Sequence, residues 1–435
     1  MAKKQYIGHF WQFPDKNYVL RWAGILSTFA GIQVLIQFVA FLSGILVVRN
    51  LTKANYAVYT VASSSLIILF TLSDLGIGNA LLALGGKVWN DDLRLGQLLR
   101  TALKLRLVYF LFGALAFTAV LFPLSLKAGA SLRMSIGVWA LLLVSALLQL
   151  NYTIWSTVPR LRIEITRLQA LDLSAALLRL ALIAGAAFTF MSTAVVLTIN
   201  GLGYGLQALF GWHWANRVIA PQARATPGDR KAILDLSKNE VPNALFYCVY
   251  GQASVIVISI FGHTKEIAEV GALSRLGAIF TILGSIMTTV VLPRFARVQT
   301  RHELRRNYIQ VVCCYLAGGG ALLFLAFLIP DQLIWVLGGK YKGLQSDVQY
   351  IVAASLLMSL IGLVFSMNAA KGWVGGLYFS IPVIVLCQLV AAAWLNLSTV
   401  RGAVLFGALP LTGGLFVMIP LAWRGLRLAP ESITP

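Results

Sequence analysis

The sequence predicts an all-α integral membrane protein with about twelve transmembrane helices, arranged as two six-helix lobes around a central cavity. Its composition, its series of apolar runs and the placement of its basic residues lead to this prediction. The chain has 435 residues, of which 59% are apolar and 11% charged, whereas soluble proteins average about 45–50% and about 25%. So few polar residues cannot cover the surface of a soluble fold, and the composition also excludes a disordered chain or a disulfide scaffold.

Apolar runs long enough to cross a bilayer follow one another along the whole chain. A spanning helix needs about 20 apolar residues, and the runs lack the alternation expected of a β-barrel. The first run is too long for the core of a signal peptide, so we expect it to remain as a spanning helix. The predicted spans are 24–48, 56–84, 103–126, 134–156, 169–190, 193–214, 241–262, 270–293, 308–330, 348–369, 374–396 and 400–423.

The basic residues indicate the orientation of these spans. There are 35 Lys and Arg against 15 Asp and Glu, a net charge of +20. Most of them lie at the termini and in every second connection, so the positive-inside rule places both termini in the cytoplasm. Because the charges lie between membrane spans, we assign them to topology and to anionic lipid headgroups, and we expect no nucleic-acid partner.

The longest basic connection divides the chain into two sets of six spans. We predict a cytoplasmic N-terminal segment, an N-lobe, a cytoplasmic linker, a C-lobe and a cytoplasmic tail. Two repeats around a cavity near the middle of the bilayer are typical of transporters. The boundaries are 1–23, 24–214, 215–240, 241–423 and 424–435.

Several chemistries have no sequence support. The Gly-Lys pairs at 86–87 and 339–340 do not complete a nucleotide-binding phosphate loop, so ATP hydrolysis by that route is excluded. The four Cys and four His show no metal-ligand spacing. The outer connections are short, so we expect no catalytic domain, no enzyme activity, no cofactor and no metal.

Charged residues inside spans are the first candidates for function, because each costs about 2.5–3.5 kcal/mol on insertion scales. Arg179 lies within the fifth predicted span, and Asp172 precedes it by two helical turns on the same face. We predict that Arg179 attracts a phosphate in a cavity and that Asp172 is a candidate for ion coupling. The alternative is an internal ion pair, or an Asp at a helix end.

Arg275 lies near the start of the eighth predicted span. A guanidinium binds phosphate through two hydrogen bonds, which suits a diphosphate substrate. The alternative is an arginine that extends toward the membrane interface.

Two polar pairs lie at helical spacing inside apolar runs: Gln33 with Gln37, and Asn243 with Tyr247. Residues four apart share a helix face, so each pair is a candidate for binding sugar hydroxyls. The alternative is hydrogen bonding between helices that stabilises the bundle.

Three stretches resemble the polysaccharide biosynthesis/export family, whose members include O-antigen flippases. Residues 48–51 (VRNL), 56–59 (YAVY) and 74–77 (DLGI) are similar to its Arg-x-Leu, Tyr-Gly-x-Tyr and Asp-Leu-Gly motifs, with Ala57 in place of glycine. The first motif adds Arg49 to the candidate binding residues.

Residues 273–276 (LSRL) and 289–294 (TVVLPR) resemble the eighth span of the multidrug/oligosaccharidyl-lipid/polysaccharide exporter superfamily. In its lipid II flippase the matching arginine lines the central cavity, which implies that position for Arg275.

The resemblance implies a flippase of the bacterial inner membrane. Its cargo would be an oligosaccharide linked to undecaprenyl diphosphate, moved outward by alternating access, with a polysaccharide polymerase and glycosyltransferases as potential partners. The alternatives are a drug/cation antiporter of the same superfamily, and a membrane glycosyltransferase or polymerase. An antiporter needs an acidic cavity, whereas only Asp172 lies near the middle of a span.

Overall fold

The computed structural model describes residues 16–162, 164–217, 219–238, 240–287, 291–298, 300–373 and 376–428, and these contain helices and no strands. We call α1–α8 the N-terminal half, α9 the linker helix and α10–α19 the C-terminal half. The N-terminal half comprises α1 (Lys16–Asn50), α2 (Lys53–Asp74), α3 (Ile77–Val88), α4 (Asp92–Lys127), α5 (Leu132–Trp155), α6 (Thr157–Leu161), α7 (Ile165–Phe188) and α8 (Thr193–Asn216). It is followed by α9 (Pro227–Ser237), α10 (Val241–Tyr250), α11 (Ala253–Phe261), α12 (Thr264–Ile286), α13 (Leu292–Arg297), α14 (Arg301–Leu328), α15 (Pro330–Leu337), α16 (Gln345–Ala370), α17 (Ser380–Trp394), α18 (Val400–Ala408) and α19 (Thr412–Leu428).

The predicted helical membrane fold is confirmed, and each predicted apolar run coincides with one helix or a pair of helices. Within the described residues nine helices are long and apolar enough to cross a membrane, and the bent pair α10–α11 makes a tenth. The third run corresponds to α4, which has 36 residues. The eleventh run corresponds to α17, an apolar helix of 15 residues.

The second run, predicted as one helix over 56–84, is instead two helices, α2 and α3. Leu75 and Gly76 both adopt left-handed conformations, with φ of 37° and 84°, which an α-helix cannot continue through. Asp74 then accepts a hydrogen bond from the backbone N–H of Gly78 at 3.0 Å. The Asp-Leu-Gly motif is therefore a turn that starts a new helix.

Two further spans differ from their predicted bounds. The seventh is bent by 53° between α10 and α11. The eighth, predicted at 270–293, begins earlier at Thr264 and ends at Ile286 as α12. Residues 289–290 of the TVVLPR stretch lie outside the described residues, as do residues 1–15 of the predicted N-terminal segment and 429–435 of the predicted tail.

The linker helix is packed onto the N-terminal half. Its contacts are with α3 and α4, where Arg94 pairs with Asp229 at 3.0 Å. The chain enters α10 at Glu240, whose carboxylate accepts a hydrogen bond from Asn79 at 2.8 Å. The two halves then meet mainly through α1 and α2 on one side and α10, α11 and α12 on the other.

Candidate functional site

Arg275 lies between the two halves, midway along α12. Its Nε donates a hydrogen bond to the hydroxyl of Tyr56 on α2 at 3.3 Å, and its guanidinium carbon lies 5.8 Å from the ring centre of Tyr59. Within the described residues no carboxylate forms an ion pair with it. Arg275 is therefore a half-buried cation whose partners are two phenols.

The opposite wall of the Arg275 site is α1. A Cβ at Gly44 would lie 3.3 Å from Nη1 of Arg275, so glycine lets the guanidinium approach the α1 backbone. Gln37 precedes Gly44 by seven residues and Gln33 by eleven, which places all three on one stripe of a helix with 3.6 residues per turn. Both glutamines are half-buried, and among the described residues neither forms a side-chain hydrogen bond. This stripe of α1, formed by Gln33, Gln37 and Gly44, therefore carries two side-chain amides without hydrogen-bond partners in the described part of the chain, on the helix face that contacts Arg275.

Arg179 lies in the N-terminal half between α7 and α8. Its Nη2 donates to Oε1 of Gln207 at 3.1 Å, and its guanidinium carbon lies 4.8 Å from the ring centre of Tyr204. The Nε of Arg179 is buried and has no hydrogen-bond partner in the described part of the chain. Like Arg275, this arginine is held by an aromatic ring and a neutral polar group.

Asp172 is joined to Arg179 indirectly. The amide nitrogen of Gln207 donates to Oδ1 of Asp172 at 2.7 Å, and the hydroxyl of Tyr152 donates to the same oxygen at 2.5 Å. Among the described ion pairs none joins Asp172 to Arg179. The alternative of a direct internal ion pair is therefore not what the structure has, because Gln207 lies between the two charges.

Tyr59 connects the two arginine sites. It lies beside Arg275, and its helix α2 packs against α8, which carries Tyr204, the residue on which Arg179 stacks. Both arginines therefore belong to one polar zone that runs from α12 through α2 and α8 to α7.

A third arginine within a span, Arg106 on α4, is neutralised. It is 3% exposed, pairs with Asp74 and donates to the hydroxyl of Thr153 at 2.7 Å. A buried pair of this kind stabilises the turn between α2 and α3. Arg179 and Arg275 differ from Arg106, because neither forms an ion pair with a carboxylate among the described residues.

Three other candidate residues contact neither arginine through a hydrogen bond or an ion pair in the described chain. Arg49, at the end of α1, is exposed and stacks on Trp335, with 5.0 Å between guanidinium carbon and ring centre. Tyr247 on α10 forms a 3.2 Å hydrogen bond with Ser380 and lines an apolar cavity of about 190 Å³. Asn243 is half-buried on the same helix. Among the described residues no hydrogen bond or ion pair joins these three to Arg179 or Arg275.

The sequence analysis did not select Tyr204 and Gln207, although both contact Arg179. Their signal is a three-residue spacing of polar groups in an otherwise apolar run, which places them on one face of α8. Gly44 could not be found in this way, since a glycine in a spanning helix has many possible reasons.

No model of a protein family and no curated protein matches the sequence. Solved structures do match over nearly the whole chain. An inward-facing multidrug resistance MATE family transporter of the MOP superfamily is 14% identical, with a TM-score of 0.68, covering 92% of this chain and 99% of its own. An outward-facing conformation of such a transporter is 15% identical, with a TM-score of 0.61, covering 92% and 94%. A eukaryotic MATE transporter is 14% identical, with a TM-score of 0.58, covering 95% and 97%.

At these identities the likeness establishes the fold. The chain is a multi-pass helical membrane protein with the fold of MATE transporters of the MOP superfamily.

Proposed function

We propose that the protein is a secondary transporter that moves a polyprenyl-diphosphate-linked oligosaccharide from the inner to the outer leaflet by alternating access. The fold supports the transporter class, since its neighbours include inward-facing and outward-facing conformations. In this proposal α1–α8 and α10–α19 are two six-span lobes that tilt against each other, joined by the linker over 215–240. The positive-inside rule supports cytoplasmic termini, and assembly of a surface polysaccharide such as O-antigen in a bacterial inner membrane is the context.

The substrate class rests on one observation: Arg179 and Arg275 are cations within membrane spans, without carboxylate partners in the described chain. An isolated cation costs about 2.5–3.5 kcal/mol in a span on insertion scales. An anionic headgroup that enters the polar zone removes this cost, because each guanidinium then donates two charge-assisted hydrogen bonds to a phosphate. A diphosphate carries the charge that two such groups require.

The amide stripe on α1 supplies the neutral part of the site. Gln33 and Gln37 extend the line of Gly44 away from Arg275, and their unpaired amides match sugar hydroxyls. The polyprenyl chain stays in lipid, so the protein shields only the headgroup from hydrocarbon. Asn243, Tyr247 and Arg49 form no hydrogen bond or ion pair with the arginines in the described chain, and they are proposed as contacts for other sugars of the substrate.

A drug/cation antiporter is the second candidate, and Asp172 is the observation in its favour. Its carboxylate accepts hydrogen bonds from Tyr152 and Gln207, an arrangement suited to exchange of a coupling ion. In the flippase proposal the same carboxylate is the coupling site.

Transport by purified protein in liposomes distinguishes these functions. The probes are a fluorescent undecaprenyl-diphosphate oligosaccharide, scored by its exposure in the outer leaflet, and ethidium, scored by efflux. We expect Arg179→Ala and Arg275→Ala to lose movement of the lipid-linked probe, and Arg275→Lys to recover only part of it, since an ammonium lacks the planar fork.

The matched control is Arg133→Ala, which removes an exposed arginine at the start of α5. The control should transport as the parent does. Ethidium efflux that depends on Asp172, with no movement of the lipid-linked probe, would establish the antiporter and reject the flippase.

A further inference from the structure

A lysine of the C-terminal half contacts the end of a helix in the N-terminal half. Lys340 follows α15 in a short turn and donates to the backbone oxygen of Arg49 at 3.2 Å and to that of Leu51. These carbonyls end α1, where the last oxygens of a helix lack partners within the helix and the helix dipole is negative. The ammonium of one half therefore caps the carboxyl end of a helix in the other.

A lysine of the N-terminal half makes the reciprocal contact. Lys127, the last residue of α4, donates to the backbone oxygen of Ile260. Ile260 lies in the last turn of α11, so this carbonyl also belongs to the exposed end of a helix. Each half thus places one lysine on a helix terminus of the other.

The two contacts occupy equivalent places in the two halves. The capped helices, α1 and α11, end the first predicted span of each set of six, and the lysines follow the third span of each set. The residue after each lysine, Ala128 or Tyr341, is 0% exposed. A glycine with positive φ then precedes the next helix: Gly129 at 98° and Gly343 at 103°. The correspondence indicates an internal repeat.

We infer that Lys127 and Lys340 form a reciprocal lysine clamp that holds this end of the transporter closed and must release before the arginine zone opens on that side. The inference rests on the proposed function only for the meaning of opening. The contacts themselves join the two halves whatever the substrate is.

Neighbouring groups show why the clamp is reversible. Lys53 pairs with Glu269 across the same boundary at 2.9 Å, yet its ammonium and that of Lys340 both lie over the Tyr341 ring, at 5.4 Å and 5.5 Å from its centre. The two ammonium groups repel each other, and the Tyr341 hydroxyl is buried without a hydrogen bond in the described part of the chain. The repulsion and the unpaired hydroxyl both cost free energy in the closed state, and both costs disappear when water enters this boundary. They therefore destabilise the closed state relative to the open one.

At the opposite end of the molecule the contact between the two halves is of a different kind. There the contact between Asn79 and Glu240 lies where the chain itself passes from the linker helix into α10. A tie at the crossing point can persist while the halves tilt, whereas the clamp contacts join segments far apart in sequence. Release of the clamp therefore opens one end and leaves the other as a pivot.

Distance measurement by electron spin resonance tests the clamp without any substrate. Spin labels are placed at Arg133 and Ser398, exposed positions in the two halves, in full-length protein whose four cysteines are replaced by alanine. Lys127→Met and Lys340→Met keep the length of the side chain and remove the hydrogen-bond donor together with its charge. We expect each to raise the ratio of long to short distances roughly tenfold, which equals about 1.4 kcal/mol, and the double variant to raise it further.

Lys342→Met is the matched control, because Lys342 lies in the same turn and is exposed. Unchanged distances in the double variant overturn the clamp, as does a shift in only one of the single variants, which would deny reciprocity. A shift in distances together with no movement of lipid-linked probe by the parent leaves the clamp in place and rejects the proposed substrate.

Discussion

Arg179 donates to the side-chain oxygen of Gln207 at 3.1 Å, so the cation is oriented by a neutral amide and keeps its charge. The same amide holds Asp172 through its nitrogen. Gln207 is therefore the residue that separates a potential ion pair and leaves the guanidinium available for an anion.

Gln207→Glu tests this separation. A carboxylate at that position would pair directly with Arg179, so we expect transport of the lipid-linked probe to fall at least ~tenfold, the effect of about 1.4 kcal/mol. Gln207→Met is the comparison, since it removes the amide without adding a charge and should retain more transport. Equal transport by the two variants would contradict the role given to the free charge of Arg179.

Gly203→Ala tests the position of Arg179 while its charge is kept. A Cβ at Gly203 would lie 2.2 Å from Nε of Arg179, so the arginine must leave its place between Tyr204 and Gln207. We expect transport to decrease although alanine favours the helix by about 1 kcal/mol. Gly205→Ala is the control, because its Cβ would meet only Leu148 at an ordinary 3.7 Å, and it should transport normally.

Asp74→Asn should destabilise the protein. It leaves the Arg106 guanidinium, 3% exposed, without its charged partner, and breaking a buried pair costs on the order of 3–5 kcal/mol. We expect the lower end of this free-energy range, since the Asp74 side chain is 29% exposed. The measurement is the Tm in detergent.

Asp235→Asn serves as the reference for Asp74→Asn. Asp235 pairs with Lys238 at the surface, where such pairs contribute about 0–1 kcal/mol. Similar Tm values for the two variants would show that the Arg106 pair is not structural.

The lysine clamp predicts a dependence on pH. Burial and the nearby Lys53 lower the pKa of Lys340 from 10.5 to about 8 in the closed arrangement. A lysine in water has a pKa of about 10.4, so the closed state holds this proton less tightly than the open state. By linkage, raising the pH from about 8 to about 10 favours closure, because the neutral amine still donates to the two carbonyls and no longer repels Lys53. No change is expected below this range.

The spin-label pair at Arg133 and Ser398 measures this effect. The fraction of short distances should increase between pH 8 and pH 9.5, and Lys340→Met should remove the increase. Other charged or titratable groups at this boundary are Lys53, Glu269, Tyr341, Lys127 and Arg49. An increase that persists in Lys340→Met would assign the titration to one of them.

The sequence by itself determined the class of structure, because a chain this apolar is stable only as helices in a bilayer. It also located Arg179, Arg275 and the Gln33–Gln37 face, since a charge or amide in an apolar run stands out whatever surrounds it. The turn at Leu75 was missed for the opposite reason. Apolar residues continue on both sides of it, so the short signal of Asp74 and Gly76, residues typical of turns, was not recognised as the end of α2.

Only the tertiary structure decided what each polar group contacts. Arg106, Arg179 and Arg275 are alike as sequence features, yet Asp74 neutralises the first, Gln207 orients the second and Tyr56 contacts the third across the halves. The clamp lysines resemble ordinary loop residues until α1 and α11 bring their carbonyl ends within reach. Pairing depends on residues distant in the chain, and packing of helices sets those distances.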